Sequence, residues 1–78
     1  MRTKMQVNKV ERHPGIDVIT CNAVCRSMSY PEDGSDEDNT YAKFSPNGAL
    51  SLTIANPALV GKIEPGQKFY LDFVKATA

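Results

Sequence analysis

Charge of one sign, histidine, cysteine and long apolar runs are all scarce in this chain of 78 residues, and each scarcity removes a class of function. Nine basic residues stand against nine acidic ones, so the formal net charge is zero. No global field draws such a protein to polyphosphate or to an anionic membrane; contact of that kind needs a local patch. The single histidine, His13, sits beside Pro14-Gly15, where a turn accounts for it without chemistry. One imidazole and two cysteines are too few donors for a structural zinc site within one chain. Nothing reads as a glycine-rich phosphate loop, a nucleophile elbow or a zinc spacing. The expectation is a protein that is not an enzyme and holds no metal or cofactor.

Cys21 and Cys25 fall within one predicted strand. Four residues of extended chain span about 13 Å, whereas a disulfide needs Cα atoms within about 7 Å. Both thiols are therefore expected to be free and to serve as small core residues, which suits a reducing compartment. No stretch approaches the roughly eighteen apolar residues of a membrane span. The segment from Met1 to Asn8 is basic but has no apolar run behind it, which predicts no signal peptide and a cytoplasmic workplace. So short a chain makes one domain and buries only about 60% of its unfolded surface. With no disulfide or metal to staple it, self-association is the expected support.

What the sequence does carry is two-fold alternation. In the segment from Ala49 to Ala55, Leu50, Leu52 and Ile54 alternate with Ser51 and Thr53; from Lys68 to Val74, Phe69, Leu71 and Phe73 alternate with Tyr70 and Asp72. Both read as half-buried strands with those six apolar residues inward. Earlier, Met5-Gln6-Val7 and the run from Ile16 to Cys25 flank His13-Pro14-Gly15, a turn signal that predicts a hairpin. Val10 is out of phase with Met5 and Val7, and in the second strand either a bulge near Val18 resets the register or both faces are covered at that end; paired phase changes suggest a strongly coiled ribbon. Thr40 to Phe44 reads as a further strand before the turn Ser45-Pro46-Asn47-Gly48. Asn56-Pro57 followed by Gly61 predicts one helical turn before the final strand. The outcome is a single all-β domain over residues 1–78: a five-stranded antiparallel barrel or rolled sheet, SH3-like, with an OB-like barrel as the alternative.

Charges are gathered by sign. Residues 31–39 form an acidic loop carrying Glu32, Asp33, Asp36, Glu37 and Asp38, while Arg2, Lys4, Lys9 and Arg12 line the first strand. A calcium loop is a poor match, because Gly34 precedes the acids and the distant Glu is missing. The basic strand reads as an edge guarded by its cations, or as one half of a contact with an acidic patch on a partner or a second copy. Tyr30, Tyr41 and Tyr70 are interface candidates, or a stacking platform for single-stranded nucleic acid. The neutral total and the acidic loop weigh against nucleic acid.

The run from Asn39 to Pro57, with Tyr41-Ala42-Lys43-Phe44-Ser45-Pro46-Asn47-Gly48 at its centre, resembles short proteins of unassigned function encoded by tailed bacteriophages. The ending Glu64-Pro65-Gly66-Gln67-Lys68-Phe69-Tyr70-Leu71-Asp72-Phe73 shares the resemblance, which spans residues 39–74. It carries no site or cofactor across. It implies a phage product acting in an infected bacterium or in the virion. The expected role is a virion accessory, a head or tail component working through itself or other phage or host proteins. The alternatives are a counter-defence protein that sequesters a nucleotide signal or blocks a host factor, and an OB-like single-strand binder.

Overall fold

The computed structural model of the protein describes residues 1–77. Among these, four strands form one antiparallel sheet: β1 (Arg2–His13), β2 (Ile16–Ala23), β3 (Ala49–Ile54) and β4 (Lys68–Asp72), in the spatial order β3-β2-β1-β4. The all-β class follows from the alternation, but the five-stranded barrel does not form. β3 and β4 lie at opposite edges and never pair, so the sheet stays open, without SH3-like or OB-like closure. β1 is interior, between β2 and β4, rather than an edge guarded by cations.

Pro14-Gly15 turns the chain as its sequence dictates. Gly15 takes the left-handed φ of 74° that a tight hairpin needs, and His13 pairs directly with Ile16. The expected break in β1 is real: Val7 opposes Cys21 and Lys9 opposes Thr20, so Asn8 is the extra residue of a bulge. That one insertion brings Val10 round to the same face as Met5 and Val7. The second reset, near Val18, is absent. β2 alternates without interruption, and Asp17 occupies the inward position that an apolar residue would normally fill.

Two further expectations fail for identifiable reasons. Residues 40–44 are not a strand. Thr40 spends its amide and its hydroxyl on Arg2, and Phe44 lies at φ 60° with its N–H donated to the Gly34 carbonyl, so no extended run can form. The Asn56–Gly61 segment is a series of hydrogen-bonded turns and not a helix. Asn56 Oδ1 does cap the Ala58 amide at 3.0 Å. The chain is then diverted at Gly61, whose φ is 82° and whose N–H is taken by Asp17.

The core is small. Met5, Val7, Ile19, Cys21 and Ile54 are buried on one sheet face, with Val60 and Ile63 of the β3–β4 crossing packed over them. The remainder of that face is open. Leu50 and Leu71 are half-buried, while Leu52, Phe69 and Phe73, expected inward, are 48%, 43% and 60% exposed. They do point to the apolar face; the second layer simply ends before it reaches them. The molecule is accordingly a slab of 48 × 33 × 16 Å. Its radius of gyration is 14.5 Å, against roughly 11–12 Å for a compact chain of this length. Cys21 is in the core, but Cys25 lies beyond the end of β2 and is exposed; both thiols are free. No helix among the described residues is long and apolar enough to cross a membrane.

The contrast between core and open face is testable by truncation. Ile19→Ala should cost about 2–5 kcal/mol, whereas Leu52→Ala should stay within roughly 0.5 kcal/mol. Urea denaturation of the two variants measures both, and comparable losses would show that the face is covered at Leu52.

Candidate interaction surface

The sheet presents a polar face and an apolar face, and the segment between β2 and β3 wraps the sheet end where the two meet. β1 begins at Arg2, but β2 stops at Ala23, opposite Met5. The start of β1 would thus lose its neighbour on that side. Asn39 takes the vacant place. Its Oδ1 accepts from the Lys4 amide at 2.9 Å and from the Thr3 hydroxyl at 3.1 Å, and its Nδ2 donates to the Val24 carbonyl at 2.7 Å. The side chain is fully buried.

Asp36 fixes Asn39 in turn. Its carboxylate accepts from Asn39 Nδ2 and backbone N, both at 3.2 Å, from the Asp38 amide at 3.0 Å and from the Tyr30 hydroxyl at 3.1 Å. Burial works against the charged form of Asp36. The hydrogen bonds from Asn39, Asp38 and Tyr30 outweigh it, so the carboxyl titrates below the usual aspartate range. Tyr30 is pushed up, first by burial and then by its bond to Asp36. Asp36 is buried and Asp38 half-buried, while Glu32, Asp33 and Glu37 stay exposed. Tyr30 also tilts against Phe44, with ring centroids 5.9 Å apart.

On the polar face the opposite charges are paired inside one chain. Lys4 meets Asp38 at 3.3 Å; within the segment between β2 and β3, Arg26 meets Glu37 at 3.1 Å. Arg2 binds Asp72 through both oxygens, at 2.7 and 3.1 Å, and lies 4.6 Å over the Tyr70 ring. Tyr70 donates its hydroxyl to Asp38 at 3.0 Å, a bond that raises its pKa. Lys9 is exposed and pairs with Glu11. Asp33 accepts from the Ser35 amide in a local turn, while Glu32 stays on the surface. Of the basic strand, Lys4 alone meets the acidic segment, at Asp38, while Arg2 and Lys9 pair with Asp72 and Glu11, so these cations are engaged within one chain. The three tyrosines are not gathered into one platform. Tyr30 packs on Phe44, Tyr70 lies on the polar face, and Tyr41 is on the apolar one.

Arg12 has another task. Its guanidinium bonds Asp17 at 2.7 Å, Glu64 at 2.8 Å and the Ile63 carbonyl at 3.0 Å. Asp17, 1% exposed, also accepts from the Gly61 amide at 2.7 Å, and its Oδ1 has no partner. Together they fasten the β3–β4 crossing onto the hairpin half of the apolar face. The other half stays bare. There Met1, Met5, Tyr41, Gly48, Ala49 and Phe73 line an apolar groove of about 190 Å³. Gly48 leaves room for Tyr41, whose hydroxyl would lie 3.2 Å from a Cβ at that position and has no hydrogen-bond partner.

Asp17 and Asn39 were not singled out by their sequence context. Asp17 had a legible signal: the Pro14-Gly15 turn places Arg12 directly opposite the one acid on the inward phase of β2. Asn39 had none, because its role is set by where β2 ends. No known protein family, curated protein or solved structure matches this chain.

Removing the Asn39 side chain leaves the Lys4 N–H and the Val24 C=O without partners, at about 1–3 kcal/mol for each buried orphan. Asn39→Ala should therefore lower the stability by at least about 2 kcal/mol in urea. Asp36 gives a pH signature. With its folded pKa depressed, its stabilisation is complete above the ordinary aspartate value near pH 4 and disappears as pH falls through the lower folded value. Denaturation midpoints of Asp36→Asn should then decline less steeply than wild type below about pH 4. Parallel declines would remove Asp36 from this role.

Proposed function

We propose that the protein is a non-catalytic assembly component that binds another protein through the open half of its apolar sheet face. The observation that carries this reading is the exposure of Phe73 in an apolar groove, of Phe69 on β4 and of Leu52 on β3, on a sheet that lacks half of its second layer. A domain normally buries each apolar sheet face against a second layer. The accessible surface here is 5503 Å², whereas a compact chain of 8.6 kDa exposes about 4,700 Å². The excess, about 800 Å², reflects the slab shape and is similar in size to what one partner contributes to an interface of standard size.

The engagement of Arg2, Lys4 and Arg12 by acids of the same chain supports an apolar contact over an electrostatic one through that strand. Such a contact resists salt: screening lengths fall from about 10 Å at 0.1 M to about 3 Å at 1 M, which weakens exposed ion pairs and leaves apolar burial intact. The bacteriophage virion as the place of assembly rests on the sequence resemblance over residues 39–74.

Expression of wild type and of Phe69→Ser/Phe73→Ser in infected cells, followed by mass spectrometry of purified virions, tests both parts. Wild type should be retained in virions washed at high salt, and the variant should be lost. The variant's melting temperature should stay close to wild type, since exposed substitutions shift stability by only about 0.5 kcal/mol. Absence of the chain from virions, with nucleotide released on heating the purified protein, would replace this reading with sequestration of a small signal.

A further inference from the structure

We propose that two copies of this chain pair antiparallel along β3, about a two-fold axis at Leu52, to make one continuous eight-stranded sheet. This rests on the assembly reading above and names the first partner in that assembly as a second copy. The two edges of the sheet are not equivalent. β4 (Lys68–Asp72) is bounded by a lysine and an aspartate, and its Asp72 is clamped by Arg2. β3 reads Ala-Leu-Ser-Leu-Thr-Ile, with no charge, no proline and no bulge. Charges, prolines and bulges are what sheet edges use to prevent pairing, and β3 has none of them.

Among the described residues, no loop backbone bonds to the outer side of β3. Alternate residues of an antiparallel strand turn their N–H and C=O groups outward, so β3 offers a row of donors and acceptors to water alone. The sequence of the strand is also self-complementary. With the axis at Leu52, Leu52 faces its own copy, Leu50 faces Ile54 on the apolar side, and Ser51 faces Thr53 on the other. Apolar and hydroxyl cross-strand pairs both stabilise such a ladder. The neighbouring registers are poorer. A shift of two residues one way sets Ile54 opposite Gly48, and the other way sets Leu50 opposite Asn56. No like charges meet in any of them. The pairing brings the open apolar faces of both copies to the same side of the sheet, so it enlarges the surface proposed above instead of consuming it.

Disulfide trapping tests the register. In a Cys25→Ser background, Leu52→Cys should give a covalent dimer on mild oxidation. Directly opposed Cα atoms are about 4.5–5.5 Å apart, within the disulfide range of about 4.4–6.8 Å. Thr53→Cys places its copies on a diagonal of about 7–8 Å and should link far more slowly. Mass mapping should locate the link at the introduced thiols and not at buried Cys21. Leu52→Lys, which puts like charges face to face, should be monomeric by light scattering while still melting cooperatively, at a temperature that no longer rises with protein concentration as that of the wild-type dimer does. A wild-type dimer that persists in Leu52→Lys and does not trap through Leu52→Cys would overturn the edge pairing. Wild type that is monomeric at every concentration would overturn it too. In either case the virion experiment on Phe69 and Phe73 reports independently on the assembly reading.

Discussion

The fold depends on completing the hydrogen-bond row along the first residues of β1. A sheet strand must pair on both flanks or meet water, and the Lys4 amide lies where β2 has already ended. A third strand would be the ordinary remedy. Here one amide side chain serves: Asn39 supplies an acceptor to Lys4 and a donor to Val24, so the gap between the two strands is closed by a group with the same hydrogen-bonding pattern as a peptide. Thr40 continues the row by exchanging bonds with Arg2. The segment then cannot be a strand itself, because its pairing groups are committed one residue at a time. From this follow the burial of Asp36, the meeting of Asp38 with Lys4 and Tyr70, and the placing of Tyr41 on the opposite face.

Asp17 does for the crossing what Asn39 does for the loop. The chain from β3 to β4 must traverse the apolar face, and its backbone needs a partner there. Asp17 offers a buried carboxylate to the Gly61 amide, and Arg12, its cross-hairpin neighbour, neutralises that charge while reaching the Ile63 carbonyl and Glu64. Breaking such a buried pair by removing one partner leaves an uncompensated charge, so the two residues stand or fall together. The crossing is tied down at the hairpin end and then turns at Pro65-Gly66 to reach Gln67, whose carbonyl accepts from the Val7 amide at 2.9 Å. Its route is the reason one half of the face is covered and the other is not.

Residues 2–23 were the legible part of the sequence. Pro14-Gly15 and the displaced phase of Val10 specify a bulged hairpin, and a bulged hairpin is present, but the phase change read near Val18 is not, because Asp17 takes the inward position there. β3 and β4 were legible as strands too, and their apolar faces were assigned correctly by direction. Their burial was not, because alternation reports which way a side chain points and is silent on whether anything lies above it. The closed barrel failed for a related reason: alternation does not order strands, and nothing local says that β4 joins β1 on the side away from β3. The charged residues were legible as two groups of opposite sign. Lys4 meets Asp38, but the other cations of that strand pair with acids elsewhere, according to which strands lie side by side, and no spacing rule discloses that.

The unfinished layer is where structure and role connect. An open sheet of this size with five buried apolar residues has little to hold it beyond its hydrogen-bond rows. Covering Phe69, Phe73 and Leu52 would supply the burial that the crossing leaves out. At about 25 cal/mol per Å² of apolar area, even a few hundred Å² amounts to several kcal/mol before the cost of association. Filling the exposed positions with polar residues would have been the simple route to a soluble monomer, and Ser51 and Thr53 show that route taken on the opposite face of β3. Apolar residues kept on one face, beside an uncharged edge, leave the layer above them unfinished: any contact that covered Phe69 and Phe73 would add to the burial that holds the sheet.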